Sequence, residues 1–292
     1  MASLCFKKSY PNGDWELLNI SFINPCTRFN IDLCQVLIAK SEKFKEIIFA
    51  FQGYVYPDQI KIFANLTFDN FIPWIFDGNG KGYGKVISDF FEASEAVWNS
   101  HVKDVLNKYS DYSITFTGHS LGGSIASLIA LKTKLFGFNQ SIKIYTFGEP
   151  RAGDFEWAKT FQAEIPQAYR VVHSSDLLPH MPVCQKLFSG SCNNNLGYPY
   201  HQPQEIWYND YLMSDGKYKI CDILNGEDPN CSNSIPETQF NKNLIQWQGF
   251  DMQMRYYGQR LYDYGNAGCE DLSDNRSKGN SNKSSETMTN LI

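Results

Sequence analysis

Residues 114–123 read ITFTGHSLGG, and at their centre stands Gly118-His119-Ser120-Leu121-Gly122. A serine hydroxyl is a weak nucleophile until it is presented at an exposed turn, beside a base and in front of donors that stabilise an oxyanion. The Gly-x-Ser-x-Gly spacing suits that task. Ser120 would sit on a strained strand-to-helix turn, with Gly118 and Gly122 leaving room for the close approach that such a turn forces. The Leu121 amide, at the helix start, is placed to face an oxyanion. The alternative is a chance match in a loop. A β-rich run before Ser120 and an Ala/Ile/Leu-rich helical pattern after it weigh against that.

The elements that must position this turn follow from hydrophobic patterning. EIIFAF (46–51), YSITFTG (112–118), IKIYTFG (142–148) and AYRVVHSS (168–175) read as buried strands. Residues 86–109 and the segment SIASLIALKTKLFGF after Ser120 carry apolar residues at helical spacing. Strands that alternate with helices predict an α/β fold with a largely parallel central sheet flanked by helices. Sites in such sheets lie beyond the carboxyl ends of the strands.

Composition narrows the class. The 292 residues suffice for one sizeable domain, and 42% hydrophobic with 20% charged residues is ordinary for a globular chain. A net charge of -5 without a Lys/Arg cluster argues against nucleic-acid binding. We read residues 1–269 as one domain and 270–292, rich in Ser and Asn, as a disordered polar tail. Eight cysteines in short local pairs plus one at each end suit a disulfide framework in an oxidising compartment. Zinc is the competing reading, but there is no Cys-x-x-Cys and no nearby His pair, so neither metal nor cofactor is expected. Six Asn-x-Ser/Thr sequons, at Asn19, Asn65, Asn139, Asn230, Asn275 and Asn282, lend weak support to secretion. Against it, residues 1–20 contain no apolar signal-peptide core, and we favour an incomplete N-terminus over an intracellular protein. No run approaches the ~20 apolar residues of a membrane span.

Beyond the elbow, YTFGEPRAG (145–153), RVVHSSDLLPHMPV (170–183), YHQPQEIWY (200–208), CDILNGEDPNCSNSIPE (221–237) and RYYGQRLYDYGNAGC (255–269) follow in order. With these, the chain resembles the class 3, fungal-type lipases, and more closely their secreted nematode relatives, over nearly all of residues 5–269. The resemblance implies the α/β-hydrolase fold and a lipid-ester hydrolase working at a lipid–water interface. It makes Ser120 the nucleophile and Asp176, in the loop after the RVVH strand, the acid that orients the base. A loop Asp capping a turn is the plainer reading of Asp176. Asp154 is the rival carboxylate, but after the PRAG turn it is expected to cap the next helix. Phe51-Gln52-Gly53-Tyr54 falls at the oxyanion strand end, where the family has Phe-Arg-Gly-Thr or -Ser, so the amides of Tyr54 and Leu121 would form the oxyanion hole. The same resemblance implies the disulfides Cys5–Cys269, Cys26–Cys34, Cys184–Cys192 and Cys221–Cys231; the sequence alone allows on the order of a hundred pairings.

The pattern breaks at the base. Where the family carries Asp-His-x-x-Tyr-Phe-Gly, this chain has Met252-Gln253-Met254-Arg255-Tyr256-Tyr257-Gly258. Gln253 stands at the histidine's position. The five histidines are His101, His119, His173, His180 and His201, so none follows residue 201. A Gln amide is not basic near neutral pH. His201 alone has the right chain order for a substitute base, but relatives that also carry the C-terminal base have a His there, so a structural role is the better expectation. Gln52 and Tyr54 depart from the family as well. Activity is therefore expected to be weak or lost, with a non-catalytic pseudo-lipase that binds lipid or a protein as the alternative. Residues 56–80 fall at the family's lid, with Phe63, Phe68, Phe71, Trp74 and Phe76 as its apolar face; ordinary core packing explains them equally well.

Overall fold

The computed structural model describes residues 13–23, 34–53, 71–76, 80–188, 191–195, 197–213, 217–236 and 248–269. In chain order, β1 (Glu16–Ile23), β2 (Cys34–Ser41) and β3 (Glu46–Phe51) lead to β4 (Phe71–Phe76) and β5 (Lys81–Ile87). A long helix follows as α1 (Ser88–Val97) and α2 (Lys103–Lys108), joined through a π-helical turn at Trp98–Val102. Next come β6 (Ser113–His119), α3 (Leu121–Leu135), β7 (Ile142–Phe147), β8 (Gly153–Asp154), α4 (Phe155–Glu164) and β9 (Ala168–His173). Short elements close the chain: β10 (Pro199–Tyr200), β11 (Glu205–Tyr208), β12 (Lys219–Ile220), α5 (Gln248–Gln253), β13 (Arg255–Tyr256), β14 (Gln259–Arg260) and α6 (Leu261–Asn266).

Among the described residues, eight strands form the main sheet in the order β1-β2-β3-β6-β7-β9-β11-β12. From β3 to β11 neighbouring strands run parallel, while β1, β2 and β12 add antiparallel edges. This is the largely parallel α/β sheet that the alternating elements predict, and the α/β-hydrolase fold that the family resemblance implies. The four expected strands are present as β3, β6, β7 and β9. Their register stacks apolar residues across the sheet, as in Ile47 opposite Ile114 opposite Ile142, and Phe49 lies against Phe116 with ring centroids 5.2 Å apart. Helix α3 is buried from Leu121 to Thr133 and wedges between the sheet and α1. A second, four-stranded sheet, β10-β8-β5-β4, flanks the first.

The lid expectation divides. Phe71–Phe76 is a strand paired with β5, Trp74 is buried in the main core and Phe71 packs against it. For these two residues the core reading holds. Phe63 and Phe68 lie outside the described residues, as do Tyr54, Cys5, Cys26 and the tail from 270.

Candidate active site

Strand β6 ends at His119 and α3 begins at Leu121, so Ser120 alone makes the turn between them. Its backbone takes φ 57° and ψ -129°, a conformation that costs an L-residue on the order of 1–3 kcal/mol. Its neighbours hold it there. The Ser120 amide donates to the Phe147 carbonyl (2.8 Å), and the Gly123 amide donates to the Ser120 carbonyl (2.9 Å). A Cβ on Gly118 would lie 2.2 Å from the Gly122 carbonyl carbon, and one on Gly122 would lie 2.2 Å from the Phe51 carbonyl oxygen. Both glycines are thus required by backbone contact. Gly53 is a third: its Cβ would reach the His119 carbonyl oxygen at 2.2 Å and the Ser120 Cβ at 3.0 Å. The end of β3 therefore lies directly against the serine, with Leu121 at the opening of α3, where helix amides lack intrahelical partners.

Asp176 follows β9 and a Ser174 with φ 46°, and it is fully buried. One carboxylate oxygen accepts the Leu178 amide (3.0 Å) at the start of the 3-10 turn Leu178–His180. The other is buried without a hydrogen-bond partner among the described residues. The bond to Leu178 is the turn cap of the plainer reading. Burial pushes its carboxyl well above the usual range, against the Leu178 amide and the Tyr256 phenol, which favour the charged form. Asp154 does cap the next helix, accepting the Trp157 amide at 3.0 Å.

Gln253 ends α5 and is buried. Its side-chain amide donates to the Gly148 carbonyl (3.3 Å), and its own carbonyl accepts from His119 Nε2 (2.7 Å), one residue from Ser120. Gly148, with φ 59°, leaves room for it: a Cβ there would lie 2.2 Å from Gln253 Oε1 and 2.7 Å from the Tyr256 hydroxyl. The Tyr256 ring packs edge-on against His119 (5.7 Å) and Phe147 (5.4 Å), and its phenol faces Asp176. Ser120, Asp176 and Gln253, far apart in sequence, are thus drawn together at the carboxyl ends of β6, β7 and β9.

Residues 48–186 match the family described as Lipase (class 3). The chain is 30% identical to the Caenorhabditis elegans protein Lipase ZK262.3 over 284 residues, covering 91% of this chain and 76% of that protein. The chain belongs to the class 3 lipase family. A second member, the secreted mono- and diacylglycerol lipase 1 of Fusarium solani, is 31% identical over 147 residues, 47% of this chain and 39% of its own length. Among solved structures, a lipase from Rhizopus microsporus var. chinensis superposes with a TM-score of 0.62 at 25% identity, over 87% of this chain and 77% of that one.

His201 of this class 3 lipase chain is held elsewhere. Its Nε2 donates to the Pro179 carbonyl (2.7 Å) and its backbone amide to Glu227 (2.8 Å). Burial, reinforced by the Arg170 charge, lowers its basicity well below normal. His119 is lowered to about 4 and His180 to about 3, chiefly by burial. Both ring nitrogens of His173 face carbonyls, of Met252 (2.9 Å) and Tyr211 (3.0 Å). His101, in the π-helical turn, is half-buried and contacts the Ser21 hydroxyl.

The motifs quoted for the family prove to be scaffolding around this site. Glu149 accepts from Ser127 (2.6 Å), Thr146 (2.6 Å) and Gln202 (2.8 Å), tying α3 to β7. Arg151 grips both oxygens of Glu227 (2.6 and 2.8 Å) and thereby anchors the segment that carries the Cys221–Cys231 disulfide. Cys184–Cys192 is the second disulfide seen in full. Cys34 and Cys269 are also disulfide-bonded; the partners expected for them, Cys26 and Cys5, lie outside the described residues. Glu205, Cys221 and Cys231 are close enough together to suggest a metal site, but both sulfurs are spent in the disulfide and Glu205 accepts the Ser232 amide. Sequence reasoning missed Tyr256 and Gly148. Their only signal was membership of quoted motifs, because what they do depends on contacts over more than a hundred residues.

Proposed function

We propose that this chain is a lipid-ester hydrolase scaffold whose chemistry is limited by a missing base. Ser120 is the nucleophile, Asp176 the acid, and the amides of Leu121 and Tyr54 the oxyanion donors. Hydrolysis requires Ser120 Oγ to attack the ester carbonyl carbon while its proton passes to a base, which later returns it to the departing alcohol. Gln253 occupies the base's place and cannot take that proton. The observation that carries this reading is the buried Gln253 side-chain amide, which donates to the Gly148 carbonyl while the residue's backbone carbonyl accepts from the elbow residue His119. Loss of the base costs roughly a million-fold in the subtilisin case, and what remains is oxyanion-hole catalysis.

The runner-up is a pseudo-lipase that binds lipid or a protein without turnover, which Gln253 also favours. Fluorophosphonate labelling of Ser120 separates them: slow but saturable labelling at Ser120 supports the weak hydrolase, and none supports the pseudo-lipase. A secreted, glycosylated form in an oxidising compartment fits the disulfides and the relative from Fusarium solani, and no helix among the described residues is long and apolar enough to cross a membrane. Non-reducing peptide mapping should recover all four pairs, Cys5–Cys269 and Cys26–Cys34 included; free thiols at these positions would remove the framework. Residues 1–269 form the domain and 270–292 the polar tail in this reading.

A further inference from the structure

Between the Asp176 segment and β10 the chain forms a small stapled hairpin that the proposed chemistry does not use. Cys184 and Cys192 are disulfide-bonded, Lys186 bridges antiparallel to Cys192, and the Leu187 amide donates to the Ser191 carbonyl (2.9 Å). The Asn193 amide donates to the Gln185 carbonyl and its side chain to Gln185 Oε1, each at 2.6 Å. The root is fixed as firmly: Arg151, locked on Glu227, donates to the Pro182 carbonyl (2.8 Å). On this neck the apolar side chains point out. Phe188 is fully exposed, Val183 is 65% exposed and Leu187 44%. The core phenylalanines Phe49, Phe116 and Phe161, by contrast, are wholly buried.

A Phe in water on a cross-linked hairpin forgoes its burial energy until something covers it. Three observations say what. Val183, Leu187 and Phe188 lie within six residues and together leave apolar surface open to solvent, which an apolar phase would cover. Residues 183–195 carry no Asp or Glu and one Lys, in a chain of net charge -5, so no carboxylate on the loop would have to be desolvated at a lipid surface. It is also continuous with the site: Leu178–His180 leads from Asp176 straight into it, and the Lys186 charge is felt at His180. We propose that Val183, Leu187 and Phe188 form an interfacial anchor that inserts into an uncharged lipid–water surface, with Lys186 at head-group level. The disulfide and hairpin bonds pre-order the loop, so insertion loses little conformational entropy. The inference rests on the lipid-ester reading and names the surface on which it would act.

Phosphatidylcholine vesicles test it. The full-length protein should co-sediment with them, and Leu187→Ser/Phe188→Ser should weaken the partition at least about tenfold, the loss expected for two exposed apolar groups. Both residues are exposed, so thermal unfolding should not change. In Phe188→Trp, the added fluorescence should be quenched by brominated phosphatidylcholine. No binding by the unmodified protein, equal binding by the double variant, or an added indole that stays unquenched in the bound protein would each overturn the anchor. Fluorophosphonate labelling of Ser120 in the same samples reads the site separately: labelling without vesicle binding sinks the anchor and spares the hydrolase, whereas binding without labelling does the reverse.

Discussion

At residue scale the chemistry turns on position 253. Its Cα already lies on a helix whose carbonyl is bonded to His119, and Gly148 leaves space for a planar side chain. Gln253→His should therefore raise kcat/KM on p-nitrophenyl esters by several powers of ten, provided Asp176 orients the ring. A small gain would mean that the Gln52–Tyr54 strand end no longer supplies its oxyanion donor. High activity in the unmodified protein that His201→Ala abolishes would overturn the missing-base reading. The elbow glycines give a second test. A methyl on Gly122 would collide with the Phe51 carbonyl at 2.2 Å, where only backbone can yield. Gly122→Ala should cost about 1–3 kcal/mol or more in a urea melt and remove Ser120 labelling; a neutral result would mean that the elbow tolerates a wider turn.

At element scale the site depends on how separate segments are pinned to the strand ends. Arg151 and Glu227 are both almost wholly buried and share two hydrogen bonds. The Arg151 charge holds the Glu227 carboxyl far below the usual range despite burial. Replacing Arg151 with Met would strand a buried carboxylate, and the urea midpoint should fall by an amount equivalent to roughly 3–5 kcal/mol. Replacing both partners with apolar residues should cost less, since no lone charge remains. Equal losses in the single and double variants would show that packing, not charge, holds the Cys221–Cys231 segment.

At the scale of the whole molecule, burial of neutral groups sets the response to acid. His180 is depressed from 6.5 to about 3, so between those values the unfolded chain binds a proton that the folded chain does not. That contribution to stability is present above about pH 6.5 and is lost as the pH falls toward 3, at roughly 1.4 kcal/mol per pH unit. His119 and His201 act in the same direction. The raised carboxyls of Asp176, Glu149 and Glu205 act in the opposite one, weakening the fold as pH rises past their unfolded values. A single variant isolates one group: His180→Gln should flatten the acid limb by about that slope, read from urea unfolding between pH 6.5 and 4. An unchanged slope would show that His180 is already protonated in the folded state.

What the sequence determined by itself was local. Strands β3, β6, β7 and β9 are short β-rich runs in which apolar residues recur, alternate ones buried in β3 and β7, and helix α3 is an Ala/Ile/Leu-rich run. Ser120 was legible because its glycines serve a turn only five residues long. Gln253 was legible as a departure, since a missing histidine can be counted. The antiparallel strands β1, β2, β4 and β5 were not singled out in the sequence, and Trp74 could be read as lid or core until the structure paired its strand with β5 and buried it. Only the tertiary structure decided that one Asp176 oxygen caps a turn while the other is left over, that Tyr256 and Gly148 close around Gln253, and that His201 is bonded to Pro179. Each of these is a contact between distant segments, set by how the connections pack at the strand ends and carried by no periodicity within either segment.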